Sequence, residues 1–165
     1  MAVLQVFFRC NKRGDGVAAK SSQADKYDCL RLENQLCFPL YACAKEIVRQ
    51  YKSQLAGLDL TYTQYIAMMV LWEHKSVTVS ELGNKLYLDS GTLTPLLKKL
   101  EQKGFVTRCR CQEDERSVCV KITEAGEELK EKALEVPGKM CSWVGLSDEE
   151  KMCLERILKK IMGRF

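Results

Sequence analysis

Histidine and proline are scarce in this chain, with one and three copies in 165 residues, and long apolar runs are absent. The lone histidine, His74, excludes a histidine-rich metal site and leaves little for Ser/His or Cys/His catalysis. No apolar stretch approaches the roughly 18 residues of a membrane helix. The N-terminal AVLQVFF is too short for a signal peptide, and no charged segment precedes it. There is no Gly-rich phosphate loop and no CxxC pair. These absences point to a cytoplasmic protein with no membrane partner, no cofactor and no bound metal. They also argue against an enzyme.

The composition, 46% hydrophobic and 29% charged, fits one soluble globular domain. A net charge of +4 permits a nucleic-acid partner without demonstrating one. Nine cysteines, an odd number, lie at positions 10, 29, 37, 43, 109, 111, 119, 141 and 153 and form no compact disulfide framework. With no export signal, the expectation is free thiols in a reducing compartment, most of them buried as small apolar residues.

Residues 1–30 are polar and aperiodic, which predicts a disordered extension. Residues 32–56 read as a long helix, with Leu36, Leu40, Ile47, Tyr51 and Leu55 on one face. A second helix, buried nearly all round, follows Thr61 as N-cap. A short extended piece at Ser76–Thr78 leads into a short helix, and residues 90–103 form another with a leucine stripe at 93, 96, 97 and 100. Phe105–Cys111 and Ser117–Ile122 read as a hairpin. Thr123 caps a helix that Val136-Pro137-Gly138 ends, and Ser147-Asp148-Glu149-Glu150 opens a last one. The fold class expected is α+β, mainly helical: a winged helix-turn-helix over residues 61–122, with a helix over 31–60 and C-terminal helices over 123–165 whose leftover apolar faces could pack together in one chain or, the preferred reading, form a dimerisation region.

With its leucines facing the core, the helix at 90–103 turns Gly91, Pro95, Lys98 and Gln102 outward, flanked by Thr92, Thr94 and Lys99. Small polar groups at the start (Ser90, Gly91, Thr92, Thr94) suit the approach to base edges, and the lysines suit phosphates. On the hairpin, Arg108 and Arg110 share a strand face, while Arg116 sits at the tip with Asp114 and Glu115 to hold it. An arginine on a narrow loop suits a minor groove. Any one of these lysines alone reads better as a solvated surface group. The order of the cations along helix and hairpin is what favours double-stranded DNA. Pro95 is a local conflict, because proline prefers the first helical position, with Thr94 as its cap.

Cys37 lies just before Pro39, where a regular helix would start. A thiol in a first helical turn meets the positive end of the macrodipole, which favours the reactive thiolate. Tyr41, one turn on, could offer its hydroxyl to the sulfur. Spacing alone leaves open the other reading, an inert cysteine on an apolar helix face. The three hairpin cysteines, 109, 111 and 119, lack a fourth metal ligand and the spacing of a zinc site.

The segments LENQLCF, LTYTQYIAMMVLWEH, LYLDSGTLTPLLKKLE and EDERSV closely resemble the organic-hydroperoxide-sensing repressors of the MarR family. The resemblance spans about residues 28–137. It implies that Cys37 is the redox-sensing residue and that Tyr51 and Tyr62 of the partner subunit support its sulfur; Tyr41 also matches a family tyrosine. It further implies an obligate homodimer, a palindromic operator, and loss of DNA binding when an organic hydroperoxide oxidises Cys37. Some members complete inactivation with a small external thiol as a mixed disulfide. Others use a second cysteine near the C-terminal helices of the partner chain, and Cys141 stands roughly there, although GKMCSWVGLS is not a close match. Cys43 and Cys153 are weaker candidates for that role. Pro39 and the N-terminal extension depart from the common pattern. The other readings are a MarR-type repressor responding to a small phenolic ligand, which leaves the cysteine idle, and a thiol peroxidase, which leaves the recognition helix unexplained.

Overall fold

The structure, a computed structural model, describes residues 27–111 and 116–164. Most of the extension expected to be disordered, together with Asp114 and Glu115, therefore lies outside the described residues. The end of that extension is not irregular: Asp28–Leu30 form a 3-10 turn, held by Asn34 Nδ2 donating to the Asp28 carbonyl at 2.8 Å. The chain divides into two compact units, 1–48 and 49–165.

In the first unit a second 3-10 turn, Leu32–Asn34, precedes α1, Cys37–Gln54, which continues into the second unit. The long helix expected from residue 32 thus begins at Cys37. Pro39 sits in its first turn, where the missing N–H has no helical acceptor to lose.

The second unit is built around α2, Tyr62–His74. Thr61 caps it through a reciprocal pair of bonds: its hydroxyl accepts from Gln64 N–H while the Gln64 side chain accepts from Thr61 N–H. Tyr65, Ala67, Met68, Leu71 and Trp72 are buried, but Met69 stays 46% exposed, so this helix keeps one open side. β1, Ser76–Thr78, runs into α3, Val79–Leu86, which Thr78 and Glu81 cap in the same reciprocal way. Tyr87 turns the chain in a left-handed conformation, and α4, Ser90–Gln102, follows. β2, Val106–Arg110, and β3, Val118–Ile122, form the hairpin. The sheet is antiparallel in the order β1-β3-β2, with Val77 opposite Val120 and Val120 opposite Arg108. Val106 and Val120 point into a core shared with Leu82, Leu97 and Leu100, all of them 1% exposed or less.

Helix α5, Glu124–Ala133, is capped by Thr123 and docks on α2 through Trp72 Nε1–H donating to the Gly126 carbonyl at 2.8 Å. Glycine is needed at 126 because a Cβ there would stand 2.2 Å from the Phe105 carbonyl oxygen. Gly126→Ala must push α5 off the sheet, and a loss of about 1–3 kcal/mol is expected, as for other overpacked sites. Urea unfolding checks this, and an unchanged midpoint would show that the contact relaxes freely.

The expected end of this helix at Val136-Pro137-Gly138 is a correction. The chain breaks only at Leu134, and those residues open a further helix, α6, Glu135–Val144. Proline is compatible with a first helical turn, and buried Val136 and Met140 hold α6 in place. Gly145, at φ 67°, ends it. The last helix, α7, Asp148–Met162, starts on the Ser147–Glu150 capping box as expected. None of its residues is buried, and Leu154 and Ile157 remain 42% and 46% exposed.

The cysteines also depart from expectation. Cys111 and Cys119 form a disulfide, so the thiols are not all free. The described cysteines outside that disulfide, 29, 37, 43, 109, 141 and 153, are exposed rather than buried. Those on α1 and α7 lie on helices with no buried residue, and α6 buries only Val136 and Met140.

Candidate nucleic-acid interface and sensor cysteine

Helix α4 takes the longer of the two forms that Pro95 allowed. Its N-cap is Asp89, whose carboxylate accepts from both the N–H and the hydroxyl of Thr92 at 2.9 Å. These bonds hold the Asp89 carboxyl below the usual carboxylate range. Thr94 does not cap; its hydroxyl donates to the Ser90 carbonyl at 2.8 Å. Pro95 is therefore carried inside the helix, where it cannot donate to the carbonyl of Gly91. Leu93, Leu96, Leu97 and Leu100 are buried, while Ser90, Gly91, Thr92, Thr94, Pro95, Lys98 and Lys99 are all exposed. The outward face is the one that the helical wheel assigns.

Arg108 is a correction to the hairpin reading. Its guanidinium donates to Glu101 Oε2 through Nη2 at 2.5 Å and Nε at 3.0 Å, and its N–H donates to Glu101 Oε1 at 3.2 Å. This pair holds the Glu101 carboxyl below its ordinary range and clamps β2 to α4. Arg108 positions the wing against the helix instead of presenting a free cation. Arg110 and Arg116 are exposed, and Asp114 lies outside the described residues. Asp89 and the Glu101–Arg108 clamp were missed by the sequence reading. The aspartate before Ser90 was a visible capping signal, whereas a side-chain pair across the Gly104 turn leaves no periodic trace.

Cys37 is the first residue of α1, and Tyr41 lies one turn later; both are exposed. In the other unit, Tyr51 near the end of α1 and Tyr62 at the start of α2 bring their rings to 4.7 Å between centroids. Tyr65 joins them, with its ring 5.9 Å from that of Tyr51, and in turn packs edge-on against Trp72. From sequence, Tyr65 is only one residue of a helix expected to be buried nearly all round. Burial foremost, and then the Tyr62 phenol, raise the Tyr51 and Tyr65 hydroxyls above the usual tyrosine range, so both remain O–H donors near neutrality. The Cys141 sulfur on α6 adds the last and smallest contribution to the rise at Tyr51.

A family model of the SarA/Rot transcriptional regulators matches residues 49–133. The organic hydroperoxide resistance transcriptional regulator of Bacillus subtilis is 51% identical over 133 residues, 81% of this chain and 88% of that protein. The regulator SarZ of Staphylococcus aureus is 42% identical over the same share of this chain and 90% of its own length. Among solved structures, reduced AbfR bound to DNA is 34% identical and superposes with a TM-score of 0.69, over 85% of this chain and 98% of that one; AbfR is a protein of Staphylococcus epidermidis. Across 133 aligned residues and a shared winged-helix fold, the chain belongs to the MarR-type transcriptional regulators that include the organic hydroperoxide resistance regulator and the SarA/Rot group.

Proposed function

We propose that this protein is a dimeric, cytoplasmic DNA-binding repressor that leaves its operator when an organic hydroperoxide oxidises Cys37, and that it acts as a regulator rather than as an enzyme. The observation that carries the reading is the pairing of Tyr51 with Tyr62, two phenol rings brought to 4.7 Å from separate elements. Such a pair is suited to hold a sulfur anion supplied by a second subunit. Cys37 of the partner subunit is that sulfur in this proposal, and Tyr41 flanks it.

The chemistry follows from the thiolate. Its sulfur attacks the terminal oxygen of ROOH, the O–O bond breaks, and Cys37 becomes a sulfenic acid while ROH leaves. Cys141 on α6 is the resolving thiol in this scheme: its attack on the sulfenic sulfur forms a disulfide and expels water. A small external thiol would do the same as a mixed disulfide. Either product enlarges the site and removes the anion that the tyrosines were holding. A second copy of the chain covers the open apolar side of α7.

On the DNA side, Ser90, Gly91, Thr92, Thr94 and Pro95 face base edges of a palindromic operator, Lys98 and Lys99 face phosphates, and Arg110 and Arg116 carry the wing. The gene under control would encode a hydroperoxide-detoxifying thiol peroxidase. An operator gel shift with cumene hydroperoxide tests the whole reading. The expected result is release by substoichiometric to equimolar oxidant, reversed by dithiothreitol, with no catalytic loss of hydroperoxide. Release by a phenolic compound but not by peroxide, or sustained peroxide turnover without a shift, would sink it. In the same assay Cys141→Ser should abolish the disulfide detected on non-reducing gels.

A further inference from the structure

Three sulfurs occupy one face of the wing, and the sensing reaction uses none of them. Cys109 and Cys111 are two residues apart on and just beyond β2, so the pleat turns them to the same side. Cys119 on β3 is the direct partner of Cys109, which puts it on that side as well. This is the face away from the core: Val106 and Val120 are buried on the opposite one, and there Arg108 meets Glu101. Packing therefore does not account for three cysteines at these positions, since cysteine contributes to stability by being buried.

Their geometry suits thiol exchange. Cys111 and Cys119 are already joined, with Cα atoms 5.3 Å apart. Cys109 is free and exposed directly across from Cys119. Residues opposed across an antiparallel pair have Cβ atoms about 4.5–5.5 Å apart, close to the separation that a disulfide spans. Cys119 thus has two thiol partners within reach, one of them a neighbour along the diagonal and the other straight across.

We propose that Cys109, Cys111 and Cys119 form a thiol–disulfide exchange site on the wing, distinct from Cys37, that reacts with low-molecular-weight aliphatic disulfides. The Cys119 thiolate attacks one sulfur of R–S–S–R, forms a mixed disulfide and releases RS⁻. The Cys111 thiolate then attacks the Cys119 sulfur and expels the second RS⁻. The wing loses two electrons, the small disulfide gains two, and the two thiol protons pass to the released thiols. Cys109 afterwards attacks Cys119 in the same way, forming Cys109–Cys119 and leaving Cys111 as the thiolate, with no net oxidation. The site does not depend on whether Cys37 senses peroxide.

Tryptic mapping of the full chain reads this directly, because cleavage after Arg108, Arg110, Arg116 and Lys121 puts the three cysteines on separate peptides, 109–110, 111–116 and 117–121. The reduced protein is equilibrated with 2-hydroxyethyl disulfide and 2-mercaptoethanol, alkylated and digested. The expected wild-type result is peptide 117–121 linked to 111–116 and, in a second population, to 109–110. Cys109→Ser should retain only the first linkage, and Cys111→Ser should move it wholly to Cys109. The proposal is overturned if Cys119 of the wild type ends only as a free thiol or a mixed disulfide. It is equally overturned if Cys111→Ser leaves Cys119 unlinked to Cys109. These residues lie on the solvent face, so under reducing conditions each serine variant should keep the wild-type urea midpoint.

Discussion

Cys37→Ser is expected to stay on its operator at every concentration of organic hydroperoxide that releases the wild-type protein. Serine keeps a small hydroxyl at the first position of α1, and the residue is exposed, so the fold and the basal affinity should not change. What disappears is the only step that converts oxidant into structure, because a hydroxyl does not form a sulfenic acid. The effect is all-or-none, in contrast to a weakened contact that would shift a titration. Quantitative gel shifts across a hydroperoxide series measure it. Release of Cys37→Ser at wild-type concentrations would transfer the sensing role to another thiol, and alkylation mapping of the oxidised variant would then identify which one.

The largest stability effect is expected in the recognition helix. Leu100 is fully buried on α4, in a stripe with Leu93, Leu96 and Leu97. Leu100→Ala removes its transfer free energy and leaves a cavity that α2, the sheet and α3 can fill only in part, so a loss of about 2–5 kcal/mol is expected. That is a large share of the roughly 5–15 kcal/mol that holds a domain folded. Since the same stripe fixes which residues of α4 face outward, the variant should also lose operator affinity at temperatures where it is still folded. Urea unfolding followed by circular dichroism gives the first number, and gel shifts at low temperature give the second. A loss below about 0.5 kcal/mol, the size of a change at a surface position, would mean that the helix is held chiefly by its Asp89 cap and the Glu101–Arg108 clamp.

Periodicity and capping chemistry made most of the winged unit legible before any coordinates. Thr61, Thr123 and Ser147 cap where local pattern places them, and the outward face of α4 is the one its leucines dictate. These features depend on residues three or four apart, so a linear reading captures them. The start of α1 at Cys37 was readable only in part: the apolar period ran back to residue 32, while Pro39 favoured a start just before it. Helix α6 was not readable, since Val136-Pro137-Gly138 reads as a stop unless the burial of Val136 and Met140 is known.

The sequence by itself determined the helix-turn-helix, the wing, the exposed face of α4 and a cysteine at a helix start. Only the tertiary structure decided that Arg108 serves Glu101, that Tyr65 joins Tyr51 and Tyr62, and that Cys111 bonds Cys119. The division has one physical cause. Hydrophobic period and caps are set within a turn or two of chain, whereas the partner of a guanidinium, a phenol or a sulfur is chosen by whichever side chain packing brings within a few ångströms, from any distance along the sequence.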